Sequence, residues 1–168
     1  RGGARRGTHR AGTALGSAKQ EYHYDPNRFY LAGYLKDIDS FDPSFFKIPL
    51  AEAKYMEPLQ RLLLKTAFEA MDDAGYGEQR NGKRQTGVFI GCDFTYRKNI
   101  AKGENGMLAT TGSWTSIMSR RISYLFGFTG PSMVLDTACS SGLVAVHEAC
   151  QAIKSGECDS AIAGGIHL

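Results

Sequence analysis

Three short apolar runs constrain this 168-residue chain more than any other feature. They are Gly87-Val88-Phe89-Ile90-Gly91, Met133-Val134-Leu135 and Ser160-Ala161-Ile162-Ala163. Each is too short for a core helix and lacks the alternation of a half-exposed strand. Uninterrupted apolar strands suit a sheet covered on both faces. Stretches with helical spacing precede each run. Over 57–74, Leu59, Leu62, Leu63, Ala67, Ala70 and Met71 recur at helical intervals, and Leu64 and Phe68 widen the stripe. Pro58 suits the first turn of that helix and Gly75 its stop. A second helix is predicted over 113–126, ending near Gly127, and a third over 142–155. The final strand is expected to close at Gly164-Gly165. The order helix, strand, helix, strand, helix, strand predicts an α/β layered domain with a largely parallel sheet.

Composition narrows the functional classes. An apolar fraction of 42% and a charged fraction of 22% are those of a globular protein. No apolar run approaches the roughly 20 residues of a membrane span, and residues 1–20 lack the apolar core of a signal peptide. The expectation is a cytoplasmic protein with no membrane partner and reduced thiols. An opening Arg1 in place of Met suggests a piece of a longer product. Cys92, Cys139, Cys150 and Cys158 lie far apart with no C-x-x-C pair, which argues against a metal site or a disulfide scaffold. The net charge of +3 is concentrated at one end: Arg1, Arg5, Arg6, Arg10 and Lys19 precede the first acid, so the remainder carries 3 − 5 = −2. Residues 1–20 therefore read as a basic, Gly-rich flexible segment, with a solvated linker favoured over a nucleic-acid arm. Residues 21–49 are aromatic-rich, with turn signals at Asp25-Pro26-Asn27 and Asp42-Pro43-Ser44. The acids among them would repel a phosphate backbone, so ring packing is the expectation and no nucleic-acid partner is assigned.

Cys139 is the residue best placed for chemistry. The run Met133 to Leu135, the small residues around Cys139 and the helix after Gly142 form a strand, a tight turn and a helix. A sulfur at that turn faces the unpaired N–H groups of the helix N-terminus, which favour negative charge and can bind an oxygen that becomes negative during acyl transfer. Position alone leaves a nucleophile and a buried structural thiol equally open. No direct base is visible. Glu148 falls on the opposite side of the helix, and His147 lies roughly 12 Å along it. His147 is expected in a core or an interface. His167, after a glycine pair at a strand end, could lie near a site, although packing is favoured; His9 and His23 have no evident partner. Cys92, Cys150 and Cys158 read as structural, and Asp72 and Asp73 as surface acids. The G-x-S-x-G elbow of acyl hydrolases is not matched, because Thr137 stands where its glycine would be.

The residues around Cys139 nevertheless resemble a known family. Asp136-Thr137-Ala138-Cys139-Ser140-Ser141, followed by Leu143-Val144-Ala145-Val146-His147, resembles the active-site motif of β-ketoacyl synthase domains, those of modular polyketide synthases and type I fatty-acid synthases. Other segments match in the expected order: Gly33-Tyr34-Leu35 through Phe41-Asp42-Pro43-Ser44-Phe45-Phe46, Glu57-Pro58-Leu59-Gln60-Arg61-Leu62-Leu63-Leu64 and Gly87 to Gly91. Ser119-Arg120-Arg121-Ile122-Ser123-Tyr124, Gly130-Pro131-Ser132 and Ser155-Gly156-Glu157-Cys158-Asp159 through Gly165 follow. The resemblance covers about 22–168. Glu57 and Leu59 replace the usual Asp and Gln, and Gly142 stands where a third Ser is common; all three are mild departures.

The resemblance implies a thiolase-like fold, three-layer α/β/α with a mixed sheet. Residues 21–168 would form a partial ketosynthase domain: part of the N-terminal half, without its first strand and without the C-terminal half. It implies that Cys139 is the nucleophile and that its backbone N–H contributes to the oxyanion hole. Cys139 would take an acyl chain from the phosphopantetheine of an acyl carrier protein and join it to a decarboxylated malonyl-type unit, in polyketide or fatty-acid biosynthesis. The alternative is a non-elongating module that only transacylates or binds an acyl carrier protein. The family's two catalytic histidines are expected beyond residue 168, so this stretch alone is expected to be inactive. No bound cofactor or metal is implied. Further implied partners are the rest of the synthase polypeptide and a second copy, paired through the strand 132–136, from Ser132 to Asp136.

Overall fold

β1 (Thr86–Cys92) is the central strand of a three-stranded sheet, between β2 (Ser132–Leu135) and β3 (Ser160–Ile166). Both pairings are parallel; Val88 to Gly91 register with Ser132 to Leu135, and Thr86 to Cys92 with Ser160 to Ile166. The computed structural model describes residues 35, 38, 40–77, 85–93, 112 and 114–167. The helices are α1 (Leu50–Ala53), α2 (Pro58–Asp73), α3 (Ser116–Phe126) and α4 (Ser141–Lys154).

Every residue of β1 is buried, as its unbroken apolar run requires of a strand covered on both faces. Side chains alternate across it. Val88, Ile90 and Cys92 join Val134, Ile162 and Ile166 on the face covered by α2 and α3, where Leu63, Leu64, Ala67, Met71, Met118, Ile122 and Phe126 are buried. Phe89 faces the other way, with Leu135, Ala161 and Ala163, against Ala145, Ala149 and Ala152 of α4 and against Cys158. The layers are therefore α/β/α, as expected. Each large side chain such as Leu64 or Phe89 removed from water contributes about 1.5–3 kcal/mol.

The helix ends follow their local chemistry. Pro58 occupies the first turn of α2, where a missing N–H costs nothing, and the Glu57 N–H donates to the Gly112 carbonyl at 3.0 Å. Gln60 is buried and donates from Nε2 to the Trp114 carbonyl at 3.2 Å, which ties the approach to α3 onto α2. Gly127 ends α3 at φ 71°, and the Phe128 N–H returns to the Ser123 carbonyl at 2.8 Å. Ahead of α2, the Asp42 carboxylate accepts from the Phe45 N–H at 3.1 Å, as its turn signal predicts. The rings then run inward in contact: Phe45 on Phe46 and Phe68, Phe68 on Phe126, and Phe126 on Phe128. An ion pair between Arg121 of α3 and Glu52 of α1 closes the same layer.

Some expectations shift. Gly164 and Gly165 do not close the last strand; they lie within β3 and pair with Ile90 and Gly91. The strand continues because a parallel ladder is made by backbone groups, which glycine carries like any residue. Ala70 is exposed, so the inner stripe of α2 is Leu59, Leu63, Leu64, Ala67 and Met71. α1 carried no sequence signal. The expected segment 1–20 and its neighbouring turn signal at Asp25-Pro26-Asn27 lie outside the described residues, as does the aromatic segment before Leu35.

Backbone meets backbone closely between α4 and the sheet. A Cβ at Gly91 would collide with the Ser141 carbonyl carbon and lie 2.6 Å from both the Ser141 oxygen and the Gly142 nitrogen. A Cβ at Gly165 would lie 3.3 Å from the Gly142 Cα, whereas one at Gly142 meets only Gly165 atoms at 3.8 Å or more. Gly91→Ala is accordingly expected to destabilise the fold by roughly 2 kcal/mol, the scale of overpacking. Gly142→Ser is expected to be nearly neutral, and unfolding midpoints of the two variants check the contrast.

Candidate active site

The turn that joins β2 to α4 is built from short polar side chains that hydrogen-bond their own backbone. Asp136 Oδ1 accepts from the Ala138 N–H at 3.0 Å. The Ser140 hydroxyl donates to the Thr137 carbonyl at 2.7 Å and lies 2.8 Å from Thr137 Oγ1. The Ser141 hydroxyl donates to the Ala138 carbonyl at 2.7 Å and accepts from the Thr137 N–H at 2.8 Å. This clasp holds Ala138 at φ 55°, a left-handed conformation that costs a residue with a Cβ on the order of 1–2 kcal/mol. The sharp turn leaves Cys139 exposed at the tip, two residues before α4 begins. It also occupies the serine hydroxyls: neither Ser140 nor Ser141 caps the N-terminus of α4. The N-terminus of α4, with its partial positive charge, begins two residues from the sulfur without a side-chain cap, although the Ser141 N–H already donates to the Ala138 carbonyl at 3.0 Å.

All three strands run parallel, so their C-terminal ends meet at one edge of the sheet. The residues delivered there line a cavity of about 470 Å³, in the range of small-ligand sites. Its walls are Gly91, Cys92 and Asp93 after β1, Ala138 and Cys139 from the turn, Ser141 and Gly142 of α4, and Gly165, Ile166 and His167 at the end of β3. His147 and Glu148 are not among them, in line with the helical geometry that removed both as bases.

The two cysteines of the cavity differ sharply. Burial pushes the Cys92 thiol above its ordinary pKa, and the nearby Asp93 and Asp136 carboxylates push it further the same way. Its Sγ lies 3.5 Å from the Asp93 carbonyl, within reach for an S–H donor. Cys92 is thus a buried, protonated thiol, and Cys139 an exposed one. Sequence position placed Cys92 only at a strand end and did not connect it with Cys139. The equal prospect of a buried structural role for Cys139 does not hold, since the strained turn projects it outward. His147 is exposed on α4, not in a core, with its Nε2 3.5 Å from the Gln151 amide nitrogen. Cys150 is exposed on the same helix, and Cys158 is buried behind Phe89. His9 and His23 lie outside the described residues. No cluster of metal-ligating side chains occurs among the described residues, and no described helix is long and apolar enough to cross a membrane.

Iodoacetamide is therefore expected to modify Cys139 first and Cys150 more slowly. Cys92 is expected to resist until the pH rises above the ordinary thiol range or the protein unfolds. Peptide mapping of time-resolved alkylation across pH checks the order, and early labelling of Cys92 contradicts it.

Comparison with known proteins places this geometry. The family model of the beta-ketoacyl synthase N-terminal domain matches residues 12–168, reaching further toward the start than the motifs around Tyr34. The non-reducing polyketide synthase stbA of Stachybotrys bisbyi is 48% identical over 167 residues, covering 97% of this chain and 7% of that protein. The non-reducing polyketide synthase ascC of Acremonium egyptiacum is 46% identical, over 90% of this chain and 7% of that protein. Among solved structures, the ketosynthase from module 6 of the bacillaene synthase of Bacillus subtilis 168 aligns with TM-score 0.66 and 39% identity. It covers 81% of this chain and 23% of its own. Ketosynthase twelve of the bacillaene polyketide synthase of Bacillus amyloliquefaciens aligns with TM-score 0.72 and 31% identity, over 80% and 24%. The chain thus spans about 7% of the length of the curated relatives and about a quarter of the solved ketosynthases. The strand, strained turn and helix around Cys139 lie inside the matched residues 12–168, and the chain belongs to the β-ketoacyl synthase family as part of its N-terminal domain.

Proposed function

We propose that this chain supplies the acyl-accepting part of a ketosynthase that extends a polyketide chain, with Cys139 as the nucleophile. One observation carries the reading. The strained turn at Ala138 presents an exposed thiol beside the uncapped N-terminus of α4, at the mouth of a cavity of about 470 Å³.

The chemistry then takes two steps. The Cys139 sulfur attacks the carbonyl of an acyl thioester borne on the phosphopantetheine of an acyl carrier protein. A new C–S bond forms, and the pantetheine thiol leaves with the proton. The carbonyl oxygen carries negative charge in between, and the backbone N–H of Cys139 with the positive end of the α4 dipole would stabilise it. In the second step a malonyl-type unit loses carbon dioxide. Its carbanion attacks the Cys139 thioester, so a C–C bond forms as the C–S bond breaks. The groups that assist decarboxylation would come from the remainder of the synthase, as the family resemblance implies. The acyl carrier protein and the rest of the polypeptide are thus the partners of this reading. A non-reducing polyketide product class is suggested by stbA and ascC, and no further specificity is assigned.

A second copy of the chain fits the outer edge of β2. That strand pairs only with β1 among the described residues, and Met133 on it is 37% exposed. An open edge of this kind is a template for pairing, and residues 132–136 would supply it.

Cys139→Ala in the full-length synthase is expected to abolish acyl loading from a carrier-borne thioester and to lower condensation by at least about 10³-fold. Mass spectrometry of the loaded peptide and product assay check this. Loading that persists in the variant, or loading without condensation in the wild type, would favour another nucleophile or a transacylating module respectively. The intact ketosynthase is expected to sediment as a dimer, and a monomer at micromolar concentration would remove the role of β2.

A further inference from the structure

We propose that His167 is a substrate-positioning residue of the Cys139 cavity, donating a hydrogen bond to the carbonyl of the incoming acyl thioester. This rests on the acyl-accepting role of Cys139 proposed above. The placement of His167 follows from the alternation of β3. Ile162 and Ile166 point into the layer of α2 and α3, while Ala161 and Ala163 point toward α4. Gly165 shares the α4 face, with its Cα side against Gly142. His167 is two residues beyond Gly165, so the two-residue period returns it to the face on which the first turn of α4 lies. β3 registers with β1 up to the pair of Ile166 with Cys92. His167 therefore emerges at the C-terminal edge of the sheet, level with Asp93. The cavity that Cys139 lines from the turn is lined by His167 from the opposite strand.

The chemistry of that wall is otherwise sparse. Gly91, Ala138, Gly142, Gly165 and Ile166 offer no side-chain donor, the Ser141 hydroxyl is committed to the Ala138 carbonyl, the buried Cys92 thiol is directed to the Asp93 carbonyl, and Asp93 as a carboxylate only accepts. A neutral imidazole carries one N–H in either tautomer. His167 is thus the side chain of the lining with a strong donor to offer a thioester held over the sulfur. Packing, the other role available to it, does not describe an exposed residue.

The test uses the full-length synthase and an acyl N-acetylcysteamine thioester as probe. The initial rate of acylation at Cys139 is measured against probe concentration, beside the rate of alkylation of the same thiol by iodoacetamide. His167→Leu is expected to lower the acylation efficiency about 10-fold, the effect of one hydrogen bond, chiefly by raising the half-saturating concentration. Alkylation is expected to change less than about 2-fold, since iodoacetamide does not depend on the thioester carbonyl. His167→Asn, which keeps an N–H donor, is expected to recover most of the loss. Equal acylation by the wild type and His167→Leu overturns the proposal. So does a parallel loss of alkylation, which marks a structural role, or an equal loss in the Asn and Leu variants, which shows that an N–H donor is not what His167 supplies. A wild-type synthase that takes no acyl group on Cys139 overturns both this inference and the reading beneath it, whereas a wild type that loads normally isolates the failure to His167.

Discussion

The contact on which this structure depends is that of backbone on backbone, where the first turn of α4 lies on β1 and β3. Gly91 makes it possible, because any side chain there would enter the peptide between Ser141 and Gly142. Gly165 extends the same floor under Gly142. With the helix seated so low, the chain leaving β2 at Leu135 must reverse into α4 within the residues 136–140. Within that turn Ala138 takes the left-handed conformation. The hydroxyls of Ser140 and Ser141 and the carboxylate of Asp136 hold it there.

The electrostatics of the site follow from that geometry. Side chains spent on the turn do not cap the helix, so its N-terminus without a side-chain cap and the exposed sulfur of Cys139 lie two residues apart. On the other wall, Cys92 belongs to the core and to the cavity at once. Burial and two acids keep it a thiol. The fold thereby separates one thiol available for chemistry from another held inert within the same cavity.

The outer face of α4 has a different character from its inner one. Ala145, Ala149 and Ala152 meet the sheet, small enough to let the helix approach. Leu143, Val146 and Ile153 point outward and are exposed, at 79% for Leu143, with His147 and Cys150 among them. An apolar stripe of that length on a helix so central to the site is a surface made to be covered. It suits a chain that spans a small share of its relatives' length. Val144 and Val146 are apolar in the sequence like Ala145, and nothing in the spacing of so uniformly apolar a helix tells which side faces its own sheet.

Much of this was legible in the residues. The unbroken apolar run of β1 is that of a strand covered twice, whereas the like runs of β2 and β3 are only partly buried, and Pro58, Gly75, Gly127 and the turn at Asp42 act through local backbone chemistry that needs no partner. The α/β order, the helix bounds to within a few residues and Cys139 at a strand-to-helix turn all follow from such local rules. The motif around Cys139 carries the family resemblance by its residues alone. What the sequence could not decide is which residues separated along the chain come together. The seating of α4 on Gly91, the shared cavity of Cys92, Cys139 and His167, and the exposure of Cys139 depend on the register of three strands joined by long crossovers. That register is set by packing across both faces of the sheet, a property of the whole layer and of no single segment.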